Sequence, residues 1–262
     1  MPRPVLALAL VATTAFAQTP GPGAAPGSAP RSDAARHELT SLLQAADAAY
    51  ARRDAPGALD ELKAKLEEAE RLAPADYEVL WRQARILFWE SDDPALRDDA
   101  KSKIGKRGWD YGERALRTDP GRVEGWHYAA AGMGNYSLGI GILRALGQGI
   151  EGKFKDRLSH AEKIDPAFEH GAIQTAWGRF WFKLPWPKYD GGKSERALLA
   201  ALKQNPDNVR ARVYLADLYR KEGHKREARA QLERAAAGEP GRYDAPEERR
   251  YQGVARGMLG EK

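Results

Sequence analysis

The sequence predicts an all-α fold, an α-solenoid of helical hairpins stacked side by side, two of them enlarged. Three observations predict it. From Ser32 onward apolar residues recur at helical spacing, and no segment shows the alternation of period two that marks a half-buried strand. Helix-closing prolines recur at Pro74, Pro120, Pro166, Pro206 and Pro240, the first four each followed by the start of another helix. Alanines sit between the bulky positions, where paired helices must come close.

With 262 residues the chain is long enough to bury a substantial core without cross-links. It contains no cysteine, which rules out disulfides and thiolate metal sites. The formal charge is +5, but Lys and Arg alternate with Asp and Glu along the helices instead of gathering in a stripe with aromatics between. Nucleic acid is therefore not an expected partner.

The chain opens with Met1-Pro2-Arg3-Pro4, an apolar run from Val5 to Val11, and small residues at Ala15 and Ala17. This reads as a secretory signal over 1–17, cleaved after Ala17. The apolar run is too short to span a bilayer, so no membrane insertion is expected after cleavage, and the product is expected to be periplasmic or secreted. Residues 18–31, dense in Pro, Gly and Ala, read as a disordered linker, and 32–262 as the helical domain.

The first unit carries Leu43, Ala46, Ala49, Tyr50, Leu62, Leu66 and Ala69, is closed by Pro74, and is near standard size; Trp81, Ala84 and Arg85 open the next. The intervals from Pro74 to Pro120 and from Pro120 to Pro166 are longer, with about three helical turns added to each hairpin. Within the first, Asp93 before Pro94 reads as an N-cap followed by proline at the first helical position. The second holds Trp126, Ala129, Ala130, Leu158 and Ala161. Gly132, Gly134, Gly139 and Gly141 also fall there, in an otherwise helical stretch. Glycine costs a helix about 1 kcal/mol relative to alanine, so close helix packing, or a backbone lining a ligand cavity, must compensate.

Gly147-Gln148-Gly149-Ile150-Glu151-Gly152-Lys153-Phe154 matches both GxGxxG and GxxxxGK. Either motif needs a preceding strand, and the second needs Ser or Thr where Phe154 stands, so the segment reads as a glycine-rich turn and no nucleotide cofactor is expected. Further on, Trp177 and Trp181 are four apart and share a helix face, the pattern of core. Trp186 lies in the proline-locked loop from Leu184 to Gly192. It is expected to fold back over its hairpin; exposed, it would be a rigid apolar anchor for a partner.

The last full unit, from Val209 to Pro240, places Leu215, Ala216 and Tyr219 on one helix, Gly223 at the turn, and Ala228, Leu232 and Ala235 on the next. These residues resemble the tetratricopeptide repeat (TPR) family, whose unit is a helix, turn and helix of about 34 residues. The resemblance implies a TPR-like solenoid whose first helices line a concave inner wall. About ten or eleven helices in four to five hairpins are expected, with a C-terminal capping helix from roughly Pro246 to Met258. Three further stretches, from Ala45 to Arg53, from Tyr77 to Arg85, and from Trp177 through Leu184-Pro185 to Gly191-Gly192, look like the periplasmic T-component proteins of TRAP-type transporters. Those relatives carry a lipid-anchoring cysteine, which this chain lacks.

The histidines at 37, 127, 160, 170 and 224 show no ligand spacing, GxSxG is absent, and no nucleophile and base are spaced as a pair. No catalytic residue, metal or cofactor is expected, and the chain does not read as an enzyme. Function is expected at the concave wall. The candidate partner-binding residues are Glu124, His127 and Asn135 in the second enlarged unit, Trp181 and Trp186 in the aromatic stretch, and Arg210 and Asp217 in the last. The leading reading is an exported scaffold that recognises a protein or peptide. The alternative is a periplasmic carrier or transport accessory of the T-component type, with a small apolar or acidic solute in a cavity opened by the enlarged hairpins.

Overall fold

A computed structural model describes residues 32–241 and 243–260; the signal and linker expected over 1–17 and 18–31 lie outside the described residues. Five hairpins follow one another: α1 (Asp33–Tyr50) with α2 (Ala58–Leu72), α3 (Tyr77–Ser91) with α4 (Asp98–Thr118), α5 (Val123–Ile140) and α6 (Ile142–Gly147) with α7 (Ile150–Ile164), α8 (Ala172–Lys183) with α9 (Gly191–Gln204), and α10 (Val209–Lys221) with α11 (Lys225–Ala237). A last helix, α12 (Ala245–Leu259), covers α11. Among the described residues there is no strand. The helices are more numerous than the sequence suggests because Gly141, at φ 89°, breaks the long apolar stretch into α5 and α6.

Local chemistry sets the helix starts. Ser32, Asp76, Asp190, Asn208 and Asp244 each accept a hydrogen bond from a backbone amide of the first turn, supplying a partner that the helix itself cannot. Asp93 behaves differently from the sequence reading. It accepts from the amide of Ala95 at 2.8 Å and holds a turn, while α4 begins later, at Asp98. That turn absorbs part of the extra length of its hairpin, and the 21 residues of α4 absorb the rest.

The glycines of the enlarged units have two roles. Gly105 and Gly112 on α4, and Gly125, Gly132 and Gly139 on α5, meet the opposite helix with no room for a side chain, while Gly108 points to α3, where a Cβ would lie 3.2 Å from the Leu87 Cβ. A Cβ on Gly132 would lie 2.4 Å from the Trp109 nitrogen, and one on Gly139 would lie 2.5 Å from the Asp98 oxygen. Backbone therefore packs on backbone along this seam, which offsets the poor helix propensity of glycine with close contact. Gly134 instead faces an internal cavity, where a Cβ would meet Phe154 at an ordinary 3.7 Å. The hairpins bury their apolar stripes against the next in line, through residues such as Leu62, Leu66, Met133, Leu158, Leu198 and Leu215.

α12 does more than cap the last hairpin. Its first residues reach the turn after α1, where Asp244 pairs with Arg53 and Arg249 with Asp54. Arg250 donates to the Trp89 carbonyl at 2.7 Å, and the Tyr251 hydroxyl donates to Asp92 at 3.0 Å. The end of the solenoid is thereby fastened to its beginning.

Candidate functional site

The start of α12 also lines a cavity of about 520 Å³ between the hairpins. One wall is apolar and comes from the C-terminal half of α5 with α6, α7 and α8: Leu138, Ile142, Leu146, Ile150, Phe154 and Phe180. The other is charged and comes from the end of α3, the turn before α8, and the starts of α10 and α12: Asp92, Glu169, Arg210, Asp244 and Glu247. The sequence folds this way because Gly141 and Gly149, both at positive φ, let the short α6 turn back between α5 and α7 and present its apolar side to the inside.

Arg210 is the centre of the charged wall. It is 8 % exposed and reaches Asp92 at 3.0 Å and Glu247 at 2.7 Å, with the Phe88 and Tyr251 rings beside its guanidinium. Burial works against its charge, but Asp92 and Glu247 outweigh that and hold the guanidinium well above its ordinary value. Tyr214 and Tyr251 share a hydrogen bond of 2.9 Å beside it, so α3, α10 and α12 meet in one polar network.

His127 and Asn135 lie on the same inner face of α5. Asn135 donates to the Ser91 hydroxyl at 2.9 Å, and Ser91 in turn donates to the Leu87 carbonyl at 2.7 Å. His127 is 4 % exposed, and its Nδ1 has no hydrogen-bond partner. Loss of water, and then the charge of Arg210, push its pKa down to about 3, so the ring is neutral. On α8, Arg179 is held by Asp217 at 2.7 Å, whereas Lys183 has no ion pair with a described residue; desolvation and the nearby Arg179 lower its pKa.

The structure thus brings three of the seven sequence candidates, His127, Asn135 and Arg210, to one cavity. Asp217 touches it indirectly through Arg179. Glu124 is engaged elsewhere, pairing with Arg122 at 2.6 Å and accepting from the Tyr77 hydroxyl at 3.1 Å. Trp181 stacks on Trp177 and lies under the Lys193 ammonium, away from the cavity lining. Trp186 does not fold back over its hairpin: it is 88 % exposed, because Leu184 takes the buried position beneath the loop.

Sequence reasoning missed Glu169, Lys183, Asp92 and Glu247. Phe168-Glu169-His170 form a short 3-10 turn in which Glu169 and His170 both hold positive φ. Their residue types carry no signal for such backbone, and Gly171 alone hints at a turn. Among the described residues no helix is long and apolar enough to cross a membrane, and no three His, Cys, Asp or Glu side chains are placed to hold a metal ion.

Nested helical hairpins around a concave cavity define a helical-repeat protein. The chain carries a tetratricopeptide repeat at residues 193–247, where the model of that family matches, and it is folded as a TPR-type solenoid. A thermophilic TPR protein from Thermus thermophilus shares the fold with a TM-score of 0.61 at 20 % identity, over 86 % of this chain and 98 % of its own. The pilF protein of Pseudomonas aeruginosa superposes with a TM-score of 0.53 at 15 % identity, over 87 % of this chain and 92 % of its own. No curated protein matches the sequence.

Proposed function

We propose that this protein is an exported, non-catalytic binding module that takes a segment of a protein or peptide partner into its concave cavity. The observation that carries this reading is the cavity itself. It lies on the inner wall of a repeat solenoid, and its volume falls in the range of about 300–1,000 Å³ typical of binding sites. α12 crosses the groove, so the partner enters as a short segment and does not lie along the whole superhelix. Gly134→Leu tests this, since a Cβ at Gly134 meets its neighbour at ordinary distance and the added side chain grows into the cavity. A polypeptide that co-purifies with the wild type and is lost from the variant supports the reading. Equal retention by a folded variant sinks it.

A second reading is favoured by the apolar wall and by Lys183. On it the cavity carries a small apolar or acidic solute, as an accessory of a transport system of the kind that the T-component resemblance suggests. Native mass spectrometry separates the two: a bound mass of a few hundred daltons, absent from Gly134→Leu, supports the carrier.

A further inference from the structure

We propose that Glu169 is the recognition group of this cavity and that the group it receives is a protonated amine. The inference rests on the reading of the cavity as the binding site, and goes beyond it by naming the chemistry.

The backbone singles the residue out first. Glu169 sits at φ 44° and ψ 44° and His170 at φ 53°, two consecutive non-glycine residues in the left-handed region. Such backbone is strained, and it persists only where the surroundings hold it. Here Phe168 packs on His127 and Tyr128, the His170 ring meets Tyr243, and the Tyr128 hydroxyl donates to the Glu169 carboxylate at 2.6 Å. The result is a carboxylate turned into the cavity.

The balance of charges singles it out again. Asp92 and Glu247 are taken by Arg210, Asp244 by Arg53, and Glu151 by Lys155 and Lys188. Glu248 accepts from the amides of Gly241 and Asp244. Glu169 has the Tyr128 phenol and no ion pair with a described residue. Arg85, the cation whose charge acts on it, is committed to Asp47 at 2.6 Å. Packing around the carboxylate raises the Glu169 pKa, against the Tyr128 hydrogen bond and the Arg85 charge, which lower it, while the residue as a whole stays exposed. A cation placed beside the carboxylate would offset that desolvation by pairing with its charge.

The neighbours suit an ammonium. His127 lines the cavity with Glu169; its neutral ring does not repel a cation, and its Nδ1 has no hydrogen-bond partner. The apolar wall then accommodates the carbon body behind the charged group.

Titration calorimetry on the full chain tests this with octylammonium, 1-octanol and octanoate. Octylammonium is expected to bind at least about tenfold tighter than 1-octanol, and Glu169→Gln to abolish that advantage while leaving 1-octanol unchanged. A short peptide with one lysine, compared with its acetyl-lysine form, separates the sources of the amine. Charge-dependent binding of the peptide assigns the group to a polypeptide, and binding of octylammonium alone assigns it to a free amine. Equal affinity for octylammonium and 1-octanol overturns the proposal, as does tighter octanoate binding that Lys183→Met removes. If 1-octanol also fails to bind, the cavity reading itself falls. Should Glu169→Gln not fold, the comparison of the three probes on the wild type decides the matter.

Discussion

The guanidinium of Arg53 reaches both carboxylate oxygens of Asp244 at 2.8 and 2.7 Å, joining the first hairpin to the last helix across 191 residues. The Arg53 side chain is 1 % exposed and lies between the Tyr50 and Trp89 rings, while Asp244 stays partly in water. The pair is therefore asymmetric, and removing the carboxylate strands a buried cation. Asp244→Ala is expected to cost about 3–5 kcal/mol in urea unfolding, the usual cost of leaving a buried charge without its partner. Small-angle scattering should show a longer particle if the variant folds with the ring open. A loss under about 1 kcal/mol with unchanged scattering would show that α12 is held by other contacts.

The seam between α4 and α5 makes an opposite pair of predictions for one substitution type. Gly132→Ala places a Cβ against backbone and is expected to destabilise by about 1–3 kcal/mol through overpacking. Gly253→Ala, inside α12 with nothing within 4 Å of its Cβ, is expected to stabilise by about 0.5–1 kcal/mol. Thermal unfolding of the two variants reads both signs, and equal shifts would contradict the packing account.

His127 predicts an acid-side loss of stability. Its pKa is near 3 in the fold against an ordinary 6.5, so between these values the unfolded chain binds a proton that the folded one does not. The stabilising contribution is complete above pH 6.5 and declines as the pH falls toward 3, by up to about 1.4 kcal/mol per pH unit. His127→Asn should flatten that part of the stability profile. An unchanged slope in a folded variant would place the ring's titration elsewhere.

Two tryptophans that look alike in composition should differ in effect. Trp186→Ala, at an exposed loop position, is expected to change stability by less than about 0.5 kcal/mol. Trp81→Ala is expected to cost about 3–5 kcal/mol, because Trp81 is buried, stacks on Tyr128, and donates to Glu78 at 2.8 Å. Denaturation midpoints of the two variants test the contrast.

Periodicity and punctuation by themselves determined the architecture. The helical spacing of Leu43, Leu62 and Leu66, the alanines at 216 and 228, and the prolines after α2, α4, α7 and α9 are local consequences of helix geometry and of the missing proline amide. Of the segment 147–154 expected as a glycine-rich turn, only Gln148 and Gly149 form one, because Ile150 and Phe154 are buried on α7, which already begins at Ile150. Tertiary structure alone decided the rest. It set which glycines touch backbone and which face the cavity, that Asp93 holds a turn and not a helix start, and that Trp186 points outward. Above all it decided that α12 returns to Arg53 and Asp92 and lines a cavity in which Glu169 has no ion pair with a described residue. The physical reason is range: periodicity reports on neighbours three and four residues away, whereas the closure depends on superhelix curvature summed over five hairpins, which no single repeat encodes.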